Sequence, residues 1–281
     1  MSVAYRLLFA ASLALSGCAS LSPLPMSVDT PRVQGQTSTF QDLKSLPAPR
    51  GPIAVSVYGF RDQTGQYKPQ PNVSSFSTVV TQGATSVLMQ TLQESNWFIP
   101  VEREGLQNLL TERKIIRAAQ AESSDAGQVD GLPSLATAQV ILEGGIIGYD
   151  ANLVTGGAGA AYFGVSADSQ IRQDQITVHL RAVDVRSGRV LTSVTVSKTL
   201  LSRQVRTGLF RFVGFKRLAE LEAGYSTNEP TQICVLQAIQ KAVLSLIIQG
   251  VEDRVWALQD EAGKQSPLFQ QYREEKSLSA L

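Results

Sequence analysis

The sequence predicts an α+β fold in which an α/β domain carries two inserted amphipathic β-hairpins. Apolar residues follow strand spacing and helical spacing in alternation along the first half of the chain, which is typical of an α/β domain. Two segments, 154–173 and 201–228, depart from that alternation and are predicted to be the hairpins. Hydrophobic residues make up 43% of the chain, which is ample for a core and argues against disorder.

Residues 1–17 have the features of a secretory signal peptide. Arg6 precedes an apolar run at 7–15, which is too short to span a membrane as a mature helix. The run ends in Leu15-Ser16-Gly17-Cys18, which resembles the bacterial lipoprotein processing signal. We therefore expect Cys18 to become the lipidated first residue of the mature chain, and Ala19 after it favours the outer membrane. The alternative is an ordinary signal peptide that contains a cysteine.

Charge and cysteine content bear on the possible partners. The formal net charge is +1 and there is no long basic run, so no nucleic acid partner is expected. Of the two cysteines, only Cys234 remains once Cys18 carries a lipid, so no intramolecular disulfide can form. Cys234 is expected to act as a small hydrophobic residue in a helix.

Residues 18–51 are predicted to be an extended tether between the lipid and the folded domain. They are rich in proline and serine and follow neither the helical nor the strand period. At about 3.3 Å per residue, such a tether could hold the domain up to about 100 Å from its lipid.

Residues 52–153 are predicted to form a periplasmic α/β domain. A strand at Ile53–Phe60 leads through turn residues into a loop at 62–77. A second strand is expected at Trp97–Val101 and a second helix from Leu106. Between the two strands, apolar residues recur at the spacing of a core-facing helix: Val80, Ala84, Val87, Leu88 and Leu92.

The rest of the domain is predicted from three further patterns. After a polar loop at 123–133, Val140–Tyr149 is expected to form a strand that Gly144 and Gly145 interrupt. Within the segment 174–200, two strands, Asp174–Val185 and Val190–Leu200, are joined at Ser187-Gly188, which is a hairpin signal.

The C-terminal segment 229–281 is predicted to be helical. Its apolar residues recur at helical spacing from Pro230 to Leu258. Gln237, Gln240 and Lys241 interrupt that run, which favours a core helix over a transmembrane span.

The second inserted hairpin has two distinct faces. In its second arm Ala219, Leu221, Ala223 and Tyr225 share one parity, whereas Glu220 and Glu222 share the other. The first inserted segment, 154–173, is too rich in glycine for a helix. In a soluble domain, such hairpins would pack their apolar faces on a core, and this alternative stays open on pattern alone.

The residues for catalysis or metal binding do not form a recognisable constellation. His179 is the only histidine and lies within a predicted strand, so a structural role is favoured. Gly157-Ala158-Gly159 lacks the third glycine and the following helix of a dinucleotide loop. Glu220 and Glu222 could pair as catalytic carboxylates, but a solvated wall is favoured because no pocket-forming residues surround them. We expect no catalytic residue, no metal site and no cofactor besides the lipid on Cys18.

The length of the two hairpins fits a membrane. Each of their four strands comes near the 9 to 11 residues that a tilted strand needs to cross a bilayer. Four strands cannot close, because the smallest outer-membrane barrels have about eight and an open edge in lipid leaves unsatisfied backbone groups. If the hairpins insert, several subunits must share one transmembrane β-barrel.

Several short segments closely resemble the curli secretion channel lipoproteins, the CsgG family. The matching segments are Phe98-Ile99-Pro100, Gly105–Leu110, Glu112–Gln120, Ile146–Tyr149 and Thr227–Pro230. The resemblance runs from the lipidation motif almost to the C-terminus. It implies a homo-oligomer of nine subunits in the outer membrane, each giving four strands to a barrel of 36 strands above a periplasmic domain. It also implies nucleotide-independent export of unfolded curli subunits, with a periplasmic accessory specificity factor and an outer-surface curli assembly factor as further partners.

Such a barrel needs a narrower ring inside it. At about 4.8 Å between strands, 36 strands enclose a diameter of about 55 Å before tilt. In the family the loop at 62–77 is the constriction, and the resemblance places Phe76 on its phenylalanine, Gln70 where tyrosine is usual and Ser75 where asparagine is usual. One extra residue lies among Asn72 to Ser75. Without a ring, Phe76 would be a hydrophobic staple at the start of the next helix.

Two hypotheses from different classes therefore stand. The first is an oligomeric outer-membrane secretion channel, with Ala219, Leu221, Ala223 and Tyr225 facing lipid and both glutamates facing the lumen. The second is a monomeric envelope lipoprotein that binds or activates a periplasmic enzyme through its α/β domain.

Overall fold

The computed structural model describes residues 37–67, 78, 80–123, 132–154, 160–162, 165–212, 218–228 and 231–279. The helices are α1 (Ser38–Lys44), α2 (Ala84–Glu94), α3 (Leu106–Ser123), α4 (Thr231–Glu252) and α5 (Pro267–Ser279), with a short 3-10 helix at Glu261–Gln265. The strands are β1 (Ile53–Asp62), β2 (Phe98–Glu102), β3 (Val140–Val154), β4 (Ala160–Tyr162), β5 (Val165–Asp184), β6 (Val190–Phe212) and β7 (Leu218–Asn228). The mixed α+β class is as predicted.

All seven strands belong to one mixed sheet. Its order is β2-β1-β3-β5-β6-β7, and β4 pairs with β5. β1 is parallel to both β2 and β3, and every other pair is antiparallel. The segments predicted as separate insertions are therefore continuous with the domain strands: β5 and β6 run through the predicted boundaries without a break.

Helix α4 is the centre of the core. Residues along its whole length are fully buried, including Cys234, Ile239, Leu246 and Ile247. The helix packs on β5 and β6 and against α1 and α2. By length and composition alone, the segment Gln232–Glu252 could cross a membrane, but 78% of its most apolar window is buried within the structure. The predictions of a core helix and of a buried Cys234 are confirmed.

The predicted tether is wrong for its last part, because helix α1 forms there and joins the core. Thr37 caps the helix, since its Oγ1 accepts a hydrogen bond from the backbone nitrogen of Phe40 at 3.0 Å. Leu43 is fully buried. Further along, the Trp97 indole nitrogen donates to the Pro47 carbonyl at 3.1 Å. A helix of two turns buries too few residues to show a period, which is why the pattern missed it.

Strand β3 also differs from prediction. It runs through Gly144 and Gly145 and ends at Val154, five residues beyond the expected end. A Cβ on Gly144 would collide with the carbonyl oxygen of His179 on β5. The glycines thus allow close approach between strands and do not interrupt the strand.

The hairpin between β5 and β6 turns as predicted. Gly188 has a φ of +70°, a conformation that glycine adopts without strain. The Ser187 side chain and backbone both donate to the Asp184 carboxylate, which lowers the pKa of Asp184 below its ordinary value. This turn closes one end of the long β5–β6 hairpin.

The C-terminal helix α5 docks on α4 through polar contacts. Lys241 on α4 pairs with Glu275 at 2.8 Å, and Arg273 pairs with Glu252 at 3.1 Å. The Tyr272 hydroxyl donates to the Gln249 side chain at 2.9 Å, and burial raises the pKa of this half-buried tyrosine. The core helix is therefore also contacted by a further helix of the same domain.

Candidate functional site

The β5–β6 hairpin has an inner half inside the domain, residues 175–184 and 190–200. Here the even-numbered positions of β5 form the core face: Ile176, Val178, Leu180 and Ala182 are all fully buried. The odd-numbered positions carry polar side chains that pair across the strands. Thr177 contacts Ser197 at 3.1 Å, and the His179 Nδ1 lies 3.1 Å from the Thr195 hydroxyl. The inner half is thus apolar on its even face and polar on its odd face.

The outer half of the same hairpin, residues 165–174 and 201–212, has the opposite pattern. On β5 the even positions are Ser166, Asp168, Gln170 and Arg172, whereas Val165, Ala167 and Ile171 are odd. On β6 Gln204 and Arg206 are even, and Val205 and Leu209 are odd. The exceptions on β6 are Phe210 and Phe212 on the even face and Arg203 and Arg211 on the odd face.

This reversal of polarity comes from the order of the residues along each strand, and not from a shift in the strand register. β5 and β6 pair without a register shift from Val165↔Leu209 to Ala182↔Thr192. Since side chains alternate between faces with a period of two, each parity stays on one face throughout. The face that is polar in the inner half therefore becomes apolar in the outer half, and the reverse holds for the other face.

Strand β7 extends the outer half only. It pairs with β6 from Ser202↔Asn228 to Phe212↔Leu218. Leu221 is opposite Leu209 and Tyr225 opposite Val205, so the predicted apolar set of β7 lies on the odd, apolar face. Glu220 and Glu222 are opposite Phe210 and Gly208, on the even face. The structure thus groups these predicted site residues as two sets on two faces.

The first hairpin starts earlier than its predicted bound at residue 154. β3 pairs with β5 as far as Val154↔Ile171, and β4 continues along β5 from Ala160↔Ala167 to Tyr162↔Val165. β3 and β4 thus form one arm and the outer half of β5 forms the other. With β6 and β7, the outer sheet has four arms.

The outer sheet ends in two open edges among the described strands. β1 pairs with β3 no further than Asp62↔Ile146, so the last part of β3 has β5 as its single described neighbour. At the other side, β7 pairs with β6 alone. Open edges of this kind can accept strands from another chain.

The base of the loop at 62–77 lies at the end of the domain from which the outer sheet extends. Tyr67 and Thr78 form an antiparallel bridge that brings the ends of the loop together. Asp62 accepts hydrogen bonds from the Thr64 backbone nitrogen at 2.9 Å and hydroxyl at 2.7 Å. Because β1 is parallel to β3, the loop leaves the domain beside the base of the outer arms.

Four predicted site residues lie outside the described residues. They are Gln70, Ser75 and Phe76 of the loop and Cys18 of the lipidation motif. In the part of the chain that the structure describes, no three His, Cys, Asp or Glu side chains are grouped closely enough to hold a metal ion. His179 lies on the odd, polar face of the inner half and contacts the Thr195 hydroxyl.

Sequence reasoning missed two features of the site. One is the reversal of polarity near residues 173–175 and 199–201, which could have been read from the change of apolar parity along each strand. The other is Arg203, which shares the apolar face of β6 with Arg211, a residue that already interrupts the apolar alternation of this strand in the sequence. In the alternation of apolar and polar residues along a strand, a charged residue on the apolar face is simply an interruption.

Comparisons with known proteins agree on one family. The family model described as "Curli production assembly/transport component CsgG" matches residues 36–276. The chain is 48% identical over 270 residues to the protein of that name from Salmonella typhimurium, covering 95% of this chain and 96% of the relative. It is also 48% identical over 267 residues to the Escherichia coli K12 protein of that name, covering 95% of each.

A solved structure is also similar in part. It is a dodecamer of a PelC variant from Paraburkholderia phytofirmans, 13% identical, with 71% of this chain and 91% of that chain covered. Its TM-score of 0.24 is too low to support any statement about fold or assembly. The family match, by contrast, spans nearly the whole described domain, and so this chain belongs to the CsgG family of curli production assembly/transport components.

Proposed function

We propose that this chain is one subunit of an oligomeric outer-membrane channel through which unfolded curli subunits diffuse out of the cell. The observation that carries the proposal is the reversal of polarity along β5 and β6 at constant register. In the inner half, helix α4 covers the apolar even face and water meets the odd face. In the outer half, the odd face is apolar, which fits lipid, and the even face is polar, which fits a water-filled lumen.

The length of the outer arms supports the same proposal. From Val165 to Gln173 the outer part of β5 has the length that a tilted strand needs to cross a bilayer. β7, with 11 residues, also has that length. Ala219, Leu221, Ala223 and Tyr225 would then face lipid, while Glu220 and Glu222 would line the lumen.

A barrel shared between subunits would pair the open edges of the outer sheet. Backbone groups cannot stay unpaired in lipid, so the edge at β7 of one subunit would pair with the edge at β3 and β4 of the next. Four arms per subunit in a ring of nine would give 36 strands. The lumen would be narrowed by the loop at 62–77, with Phe76 forming an apolar collar and Gln70 and Ser75 a polar ring beside it.

The remaining parts of the proposal follow from the sequence and the family. A lipid on Cys18 would anchor each subunit in the outer membrane, with the α/β domain in the periplasm. Relatives that match over 95% of this chain are named as curli production assembly/transport components, which supports curli subunits as the exported protein. A periplasmic accessory specificity factor and an outer-surface assembly factor would be its partners, and the channel would need no nucleotide and no catalytic residue.

The proposal is tested on the full-length protein extracted from membranes in detergent. We expect a large oligomer by sizing, a ring of subunits in micrographs viewed down its axis and ion conductance in planar bilayers. A monomer without conductance would overturn the channel and leave the alternative, a lipoprotein that binds or activates an envelope enzyme. A single micrograph of the ring would also fix the number of subunits.

A further inference from the structure

The apolar face of the outer sheet is bounded by two arginines, Arg203 and Arg211. Between them, rows of paired residues on the odd face of β5, β6 and β7 carry no charge. We call these rows the uncharged band. Its residues are Val205, Thr207 and Leu209 on β6, Val165, Ala167 and Ser169 on β5, and Leu221, Ala223 and Tyr225 on β7.

The height of the uncharged band is close to that of the apolar band of outer-membrane barrels. Arg203 and Arg211 are eight positions apart on β6. At about 3.3 Å per residue this is about 26 Å along the strand, and a tilt of about 40° reduces it to about 20 Å along the membrane normal. The apolar band of outer-membrane barrels is about 25 Å tall, and arginine stems extend their charged ends a few Å further outward. If the odd face meets lipid, this spacing would place the two arginines close to the two surfaces of such a bilayer.

In the strand register, neither arginine lies directly opposite an acidic residue of the described strands. Arg203 lies opposite Ile171 and Thr227, and Arg211 lies opposite Ala219. Arg206, on the other face of the same strand, does lie opposite an acid, Asp168. In addition, the sequence from residue 151 to 165 contains no Asp or Glu. Within the outer sheet, the register therefore gives neither Arg203 nor Arg211 an acidic partner.

We propose that Arg203 and Arg211 bind phosphate groups of membrane lipids, one at each surface, and so set the bilayer thickness that the channel accepts. This inference rests on the proposed function, since it requires the odd face to meet lipid. Guanidinium groups bind phosphate oxygens in pairs of parallel hydrogen bonds, which fits arginine at this position. Lipid phosphate is favoured over free phosphate because both arginines border the uncharged face itself.

The test varies bilayer thickness. The full-length oligomer is reconstituted into phosphatidylcholine vesicles of increasing acyl length, and the temperature at which it dissociates is measured in each. We expect the native protein to be most stable at one acyl length. In Arg211→Leu the uncharged band gains about two residues, or about 7 Å along the strand, so its optimum should move to longer chains. Arg203→Leu should move it in the same direction, and Arg211→Lys should keep the native optimum.

The control is Arg206→Leu, which removes a charge from the same strand but from the even face. It should leave the optimal acyl length unchanged. If a leucine variant does not assemble, Arg211→Gln should show a smaller shift in the same direction. In vesicles of a galactolipid without phosphate, the native oligomer should lose stability that Arg211→Leu does not lose, and added inorganic phosphate should not restore it.

Two outcomes separate the inference from the proposed function. If both leucine variants keep the native optimum and conduct ions, the channel stands and the role of the arginines is overturned. If the native protein gives no conductance at any acyl length, the channel itself is overturned, and the inference with it. Loss of native stability in the galactolipid that inorganic phosphate fully restores would overturn the choice of lipid phosphate.

Discussion

The inner and outer halves of the β5–β6 hairpin share two strands and one register but have opposite faces. In the inner half, Ile176, Val178 and Leu180 on the even face are fully buried in the core. In the outer half, Val205 and Leu209 lie on the odd face. The odd face therefore carries polar residues that meet water in the inner half. In the outer half the same face carries apolar residues, which in our proposal meet lipid.

The register of the inner half also determines which residues of the outer half share a face. The inner half fixes the register, because its even face is packed against α4 and the turn at Ser187-Gly188 closes its end. A slip of one residue would expose the core positions, so the register is strongly specified there. Because the pairing is continuous, the core decides which residues of the outer half share a face.

The largest effect is expected from placing one charge in each half. Leu180→Arg should strongly destabilise the domain, because an unpaired buried charge costs about 3 to 5 kcal/mol, a large share of a total stability of about 5 to 15 kcal/mol. Leu209→Arg should leave the α/β domain folded and weaken membrane insertion. Protease resistance of the domain, measured in detergent, separates the two. Equal loss of resistance in both variants would break the comparison.

A second prediction concerns the two faces of β7. Leu221→Arg should destabilise the inserted oligomer by about 2 to 4 kcal/mol if the residue lies near the bilayer midplane, whereas Glu222→Arg should cost far less. The measurement is oligomer stability against denaturant in vesicles. The two positions are neighbours, so each variant is the control for the other. Equal tolerance would show that the odd face does not meet lipid.

The loop beside the outer arms allows a third prediction. Tyrosine is bulkier and less flexible than glutamine, so Gln70→Tyr should lower single-channel conductance, whereas Phe76→Ala should widen an apolar collar and raise it. Planar-bilayer recording of each variant is the measurement. A rise in Phe76→Ala beside unchanged conductance in Gln70→Tyr would show that only the phenylalanine narrows the lumen.

The smallest effect is expected at the turn of the inner half. Gly188→Ala should lower the free energy of unfolding of the domain by about 1 kcal/mol, because alanine is strained at a positive φ. Thermal unfolding of the domain gives the value. Conductance should stay at the native level, since the turn lies at the end of the hairpin away from the outer half. A changed conductance would show that the two halves are coupled beyond their register.

Much of the fold could be predicted because the period of apolar residues identifies an element directly. The core helix α4, the turn at Ser187-Gly188 and the strands β1 and β2 were found in this way, with bounds that differ by a few residues. Helix α1 was missed because it is short and follows a proline-rich segment. The family was recognised from short segments such as Glu112–Gln120, and the comparisons confirm it.

The sequence alone determined which residues alternate, where the chain turns and which family it belongs to. These properties depend on neighbours along the chain, and a period of two or 3.6 can be read locally. Only the tertiary structure decided which strands are neighbours, that β5 and β6 cross the predicted domain boundaries at constant register, and that Leu221 lies opposite Leu209. Strand pairing joins residues far apart in sequence, so no local pattern can specify which face each parity occupies.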